Sequence, residues 1–172
     1  MDTMQEAVEN EEDYRGQLAD VEIRWMIRAD TDAVLEIDEM SFVECWSEAD
    51  LVTTCRRNNT IGMVAEHEDR VVGFIIYELH RGKLNIVRTA VHPDFSSMGV
   101  GLAMVQRLIN NKLHPKRRDK IEAFVHETNV TAQVFFRALG FASEAIRGDG
   151  NGDDEYLFCY RLDGFHEWQG RI

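Results

Sequence analysis

Residues 91–101 read VHPDFSSMGVG, and the fold turns on this stretch. Lys83 to Val91 alternates as a strand, and Pro93 stops it because proline cannot donate to a ladder. A short polar loop follows. Gly99 and Gly101 then open a segment in which Val100, Met104, Val105, Leu108 and Ile109 recur at helical spacing. The first amides of a helix have no intrahelical partner and lie at the positive end of its dipole, so they suit an anion. Glycines at 99 and 101 remove the side chains that would hold a bulky anion away. Strand, G-x-G loop and helix start together make a pyrophosphate cradle in principle. Alone, the same pattern also arises from tight helix packing.

Working upstream, VEIRWMIR (residues 21–28) alternates as a strand, and Asp30 or Thr31 can cap a helix through Met40 with Ala33, Val34, Ile37 and Met40 on one face. Ser47-Glu48-Ala49-Asp50 is a capping-box pattern that opens a second helix toward Asn58. Thr60 to Glu66 and Val71 to Leu79 read as paired strands about the polar turn His67 to Arg70. Downstream, Lys120 to His126 is a strand. Asn129 can cap a helix over Val130 to Leu139, which Gly140 ends, and Phe141 to Arg147 and Tyr156 to Leu162 are the last strands about the glycine- and acid-rich GDGNGDDE. Trp25, Phe74, Phe95, Phe135 and Phe141 read as core. The order β-α-α-β-β-β-α-β-α-β-β implies an α/β domain with a mixed sheet, its early meander antiparallel and its later β-α-β crossover parallel. Residues 1–20 form an acidic tail expected to be flexible, residues 21–163 the domain, and residues 164–172, with Trp168, a short C-terminal tail.

The chain has 172 residues, 44% of them hydrophobic, within the usual size of one domain. No apolar run is long enough to span a bilayer, and the first residues lack the pattern of a secretory signal, so the expectation is a cytoplasmic protein without membrane partners. A net charge of −12 argues against nucleic acid as a partner. The basic cluster from Lys112 to Lys120 reads as a solvated helix end and loop, with anionic-ligand contact as the alternative. An acidic surface favours the approach of a cationic amine. Cys45, Cys55 and Cys159 lack metal or redox spacing, and the six histidines are dispersed, so no metal site is expected.

The order strand, P-D-F-x-x-x-G-x-G, helix, strand, then Asn129, Ala132, Phe135, Phe136, Leu139, Gly140 and Phe141 at the spacing N-x-x-A-x-x-F-F-x-x-L-G-F resembles the GCN5-related N-acetyltransferase (GNAT) superfamily. The likeness runs from about Glu22 to Leu162 and is nearest to the RimI-like branch, which acetylates protein N-termini. It implies the GNAT fold, a seven-stranded mixed sheet flanked by about four helices, with acetyl-CoA as co-substrate and no metal. It further implies that the pantetheine arm lies against Ala90 and Val91, and that the pyrophosphate rests on the loop Ser96, Ser97, Met98, Gly99, Val100 and Gly101. Asn129 and Phe136 would flank the coenzyme, and Trp46 lies where the family shapes its acceptor site.

Three departures bear on chemistry. The loop begins with Ser96 where the family usually has Gln or Arg, so phosphate binding would rest on amides and the Ser96 and Ser97 hydroxyls. The positions that often hold a general base are Asn85 and Phe124, and the usual tyrosine acid is Phe136. Glu122 and His126 share a strand face with position 124 and are the candidates to relay a proton through water. His92 at the loop edge reads as structural. The expected activity is acetyl transfer to a primary amine, foremost a protein or peptide N-terminal α-amine. A small-molecule amine acetyltransferase and an acyl-CoA-binding module are the alternatives, and the protein would be a monomer or homodimer.

Overall fold

The computed structural model describes residues 21–148 and 152–162. The terminal tails, Trp168 and the centre of the GDGNGDDE segment lie outside the described residues. One seven-stranded sheet carries the fold, in the order β1-β2-β3-β4-β5-β7-β6. Two compact units make up the chain: residues up to Arg57 with Gly62–Ile75 and Thr89–Arg107, and Asn58–Ile61 with Ile76–Arg88 and the residues from Leu108 on.

In the first unit, β1 (Glu22–Trp25) runs antiparallel to β2 (Thr60–His67), with Glu22 opposite Glu66 and Trp25 opposite Met63. Arg24 reaches both carboxylates of its surroundings: its guanidinium bonds Asp30 at 2.8 and 2.9 Å and Glu66 at 2.7 and 2.8 Å. The Arg24 hydrogen bonds hold the Asp30 carboxyl below the usual range against the opposing effect of its burial. This use of Asp30 corrects its expected role. Helix α1 (Thr31–Ser41) starts after it, but no side-chain cap bond is made, because the carboxylate serves Arg24 and the Ile27 amide. Helix α2 (Glu48–Cys55) does have its capping box, Ser47 Oγ accepting from the Asp50 amide and Asp50 Oδ2 from the Ser47 amide. Strand β3 (Arg70–Leu79) follows β2 through Glu68 and Asp69, both at positive φ, the two-residue turn that suits a twisted hairpin.

Strand β4 (Gly82–Val91) leads through the turn Pro93–Phe95 into α3 (Val100–Lys112). The start of α3 lies close on β3. A Cβ added to Gly73 would stand 3.0 Å from Val100 Cγ1 and 3.1 Å from Met104 Cε, so a larger residue there would press on the start of the helix.

The second unit holds β5 (Arg118–His126), α4 (Val130–Ala138), β6 (Ala142–Arg147) and β7 (Glu155–Arg161). β5 is parallel to β4, as expected for a β-α-β crossover, and antiparallel to β7, which also pairs with β6. Asn129 caps α4, its Oδ1 accepting from the Ala132 amide at 3.0 Å, and Gly140 ends it at φ +87°. The core here is aromatic: Phe136 lies 5.0 Å from Phe141 and 6.1 Å from Phe158, ring centre to ring centre.

Phe74 and Phe141 are buried as expected, and Phe95 and Phe135 are half-buried. Two expected core residues are not. Trp25 is 55% exposed and Met40 43% exposed. Trp25 ends a four-residue strand at the sheet edge, and Met40 lies in the last turn of α1, where the packed face has already closed at Val34 and Ile37. Cys159 is buried, which pushes its thiol up to about 11, as suits a core residue. Among the described residues no helix is long and apolar enough to cross a membrane.

Candidate coenzyme site

β4 leaves the sheet at His92, whose amide still donates to the Val72 carbonyl at 2.8 Å. The chain then closes on itself: the Phe95 amide donates to the His92 carbonyl, Ser96 to Pro93, and Met98 to Phe95. Gly99 has φ +70°, the left-handed region in which a side chain is strained. Its carbonyl accepts the first helical bond, from the Ala103 amide at 3.0 Å. The amides of Val100, Gly101 and Leu102 therefore precede the first intrahelical donor and point out along the dipole. An anion fits there, and no acidic residue stands between Phe95 and Gly101. The Ser96 hydroxyl is less free than expected, because it donates to the Pro93 carbonyl at 3.0 Å. Its hydrogen is committed within the loop, which leaves Ser97, exposed, as the open hydroxyl.

Ala90 and Val91 are half-buried at the end of β4. The parallel register of β4 with β5 ends at Ile86–Ala123, while β4 itself continues to Val91. A strand end open on one side can pair there with an extended, amide-bearing arm. In the same unit, α1 and the loop after it form a groove of about 350 Å³ lined by Asp32, Leu35, Glu36, Glu39, Cys45 and Trp46. Asp38 fixes this loop: it is 1% exposed, and its Oδ2 accepts from the Trp46 amide at 2.7 Å. Asp32, Glu36 and Glu39 give the groove a negatively charged lining.

The second unit gathers the other candidates. Glu122 lies opposite Asn85 in the β4–β5 register, with Lys83 and Lys120 two residues before each of them. Its carboxylate is 5% exposed and accepts from Lys83 Nζ at 2.5 Å and Lys120 Nζ at 2.8 Å. Burial pushes its pKa up, but the two lysines outweigh burial and hold it below its ordinary value. A carboxylate stabilised in this way is a weaker base than sequence position alone implies. Phe124 is exposed at 37%, with the Arg147 guanidinium 3.9 Å over its ring. The Asn85 Oδ1 is buried and has no protein partner.

His126 is better placed to move a proton. Its Nδ1 accepts from the Thr128 amide at 3.2 Å and lies 2.7 Å from Thr128 Oγ1. An amide only donates, so the ring proton sits on Nε2, 3.2 Å from Asp153 Oδ1. Asn129 spends its carbonyl on the α4 cap, which leaves its NH2 for a ligand. Phe136, expected beside the coenzyme, is 4% exposed and packs within the aromatic core.

The acetyltransferase (GNAT) family model matches residues 31–141. The chain belongs to this family. An uncharacterized N-acetyltransferase of Methanocaldococcus jannaschii is 28% identical over 124 residues, 72% of this chain and 80% of that protein. Among solved structures, Ard1 of Thermoplasma volcanium superposes with a TM-score of 0.74 at 23% identity, covering 84% of this chain and 99% of that one. The ribosomal-protein-S18-alanine N-acetyltransferase of Escherichia coli gives 0.71 at 20% identity, over 83% and 94%. Arabidopsis thaliana NAA60 in complex with acetyl-CoA gives 0.72 at 13% identity, over 84% and 99%.

This chain is thus an acetyltransferase of the GNAT family. The loop Ser96 to Gly101 lies in its first unit, and Glu122, His126, Asn129 and Phe136 in its second. The sequence did not reveal the partners that decide what these residues can do. Lys120-x-Glu122 is the exception, since alternate residues share a strand face. Lys83 and Asp153 come from segments 39 and 27 positions away and carry no local signal.

The Glu122 ion pairs make a stability prediction. Glu122→Gln leaves two lysine ammonium groups without their anion, at a cost of about 1–3 kcal/mol. For a chain of this size that lowers Tm by roughly 2–10 °C. Because the folded pKa lies below the ordinary 4.5, this stability is full above that value and is lost as pH falls through the folded pKa. Melts at descending pH should show wild type and Glu122→Gln converging below about pH 4.5. A constant gap down to the acid limit would mean that the ion pairs contribute no such stability.

Proposed function

We propose that this acetyltransferase acts on a primary amine, foremost the α-amine of a protein or peptide N-terminus, as in the RimI-like branch. The amine nitrogen attacks the thioester carbonyl, the C–S bond breaks, coenzyme A leaves as thiolate, and the nitrogen gives up one proton. The pyrophosphate would rest on the amides of Val100, Gly101 and Leu102 beyond Gly99, and the pantetheine arm against Ala90 and Val91. Holding both reactants in register contributes most of the barrier reduction.

The observation that carries the choice of acceptor is the state of Glu122. The best-buried carboxylate near the usual base positions is neutralised by two lysines, and Asn85, Phe124 and Phe136 cannot take a proton. An enzyme so equipped suits an amine that is already neutral in solution. His126, accepting at Nδ1 by way of the Thr128 hydroxyl, is the remaining relay. His126→Ala and Thr128→Val should each lower kcat by about 10- to 100-fold with little change in KM. Unchanged kcat in both would remove His126 from the reaction. The groove with Asp32, Glu36 and Glu39 favours a second reading, a small cationic amine as acceptor. Release of coenzyme A thiol from acetyl-CoA with a panel of peptides and small amines decides between them. Binding of acetyl-CoA without release for any acceptor would instead support a module that retains the coenzyme and has lost catalysis.

A further inference from the structure

His92 is 7% exposed at the root of the loop that ends in Gly99, and the notable fact is what surrounds its ring. Arg70, the first residue of β3, places a guanidinium nitrogen 3.1 Å from His92 Nε2. The Asp94 amide points at Nδ1 from 3.2 Å. The same guanidinium lies 5.5 Å from the centre of the Phe95 ring, and Phe95 also meets the edges of His92 and of His67 on β2, each at 5.7 Å. The side chains of Arg70, His92 and Phe95 thus form a wedge between β3 and the turn that launches the loop.

The chemistry of that wedge depends on protonation. Guanidinium and amide only donate, so both ring nitrogens face donors. A neutral imidazole has one lone pair and satisfies one of them. An imidazolium satisfies neither, and it sets a second positive charge against Arg70. Its one compensating anion in the wedge is the Asp94 carboxylate, 3.8 Å from Nδ1 and 77% exposed, where water screens it.

We propose that Arg70 and His92 are positioning residues for the coenzyme loop, and that they hold it only while the His92 imidazole is neutral. The inference rests on the reading of Ser96 to Gly101 as the pyrophosphate loop. Neither residue belongs to the loop Ser96 to Gly101 itself. They fix the turn Pro93–Phe95 and so set where the outward amides of Val100 to Leu102 stand. A neutral ring therefore keeps the grip, and a ring that takes up a proton releases it.

Calorimetric titration with acetyl-CoA at about pH 8 and about pH 5.5 tests this, using wild type, His92→Gln and Arg70→Met. Circular dichroism verifies the fold at each pH. The coenzyme's own phosphates titrate equally in all three and cancel in the ratios. Wild type should lose at least about tenfold more affinity on acidification than His92→Gln, which cannot gain a charge. Arg70→Met keeps an apolar stem on Phe95 without the donor, so it should bind more weakly at the higher pH and show the shallower slope. Arg70 is exposed, so this variant stays informative even if His92→Gln fails to fold. Parallel pH ratios in wild type and the folded variants overturn the clamp alone. Absence of binding by wild type at the higher pH overturns the loop assignment and the clamp with it.

Discussion

Gly99→Val should abolish useful affinity for acetyl-CoA while leaving the fold in place. Residue 99 sits at φ +70°, and a β-branched residue there costs about 1–2 kcal/mol in backbone strain alone. The chain can relieve that strain by moving to negative φ, which redirects the amides of Val100 and Gly101. If it does not move, the new Cβ and its methyls stand beside those same amides. Either response removes the cradle, so the expected loss is about 100-fold or more, equivalent to about 2.7 kcal/mol. Gly101→Val is the partner experiment. Gly101 lies within α3 and is not among the glycines with positive φ, so its variant obstructs the anion with little strain. Calorimetry should find both variants impaired and melting should find Gly99→Val the less stable of the two. Wild-type affinity in both would place the coenzyme phosphates elsewhere on the protein.

Peptides that offer only an α-amine should be acetylated faster than matched peptides that offer only a lysine. The reason is the supply of neutral nitrogen. At about pH 7.5, roughly 30% of an ordinary α-amine is neutral against about 0.1% of a lysine amine, a ratio of about 300. The more basic lysine nitrogen attacks faster once neutral, which narrows the gap, and a preference of at least about tenfold in kcat/KM remains. A strong general base would erase much of this difference by deprotonating the acceptor in the site. Here the buried carboxylate, Glu122, is held in its charged form by Lys83 and Lys120 and has little affinity for a proton. The rate for the α-amine peptide should level off above about pH 8, and that for the lysine peptide should keep rising toward about pH 10. Faster lysine acetylation near neutral pH would show that a stronger base operates.

The elements themselves were legible in the sequence because their signals are local. Alternation fixed β2 to β5 within a residue or two, Ser47 with Asp50 fixed the start of α2, and Asn129 with Gly140 fixed both ends of α4. The loop was legible for the same reason: proline, two glycines and an amphipathic run are contiguous. Asp30 stands at the N-cap position of α1 but makes no side-chain cap bond, because Arg24 and the Ile27 amide take its carboxylate. A helical wheel does not show that Phe135, Phe141 and Phe158 surround Phe136, the residue expected beside the coenzyme.

By itself, then, the sequence determined the order of elements, the glycines that free the amides at the start of α3, and the absence of ionisable groups at positions 85, 124 and 136. These are properties of single residues and near neighbours. Tertiary structure decided which distant groups share a proton or a charge: Glu122 with Lys83, His126 with Asp153, His92 with Arg70. Basicity is set by the field within a few ångströms of a group. Strand pairing and turns bring those neighbours from up to 39 positions away, where no periodicity in the chain records them.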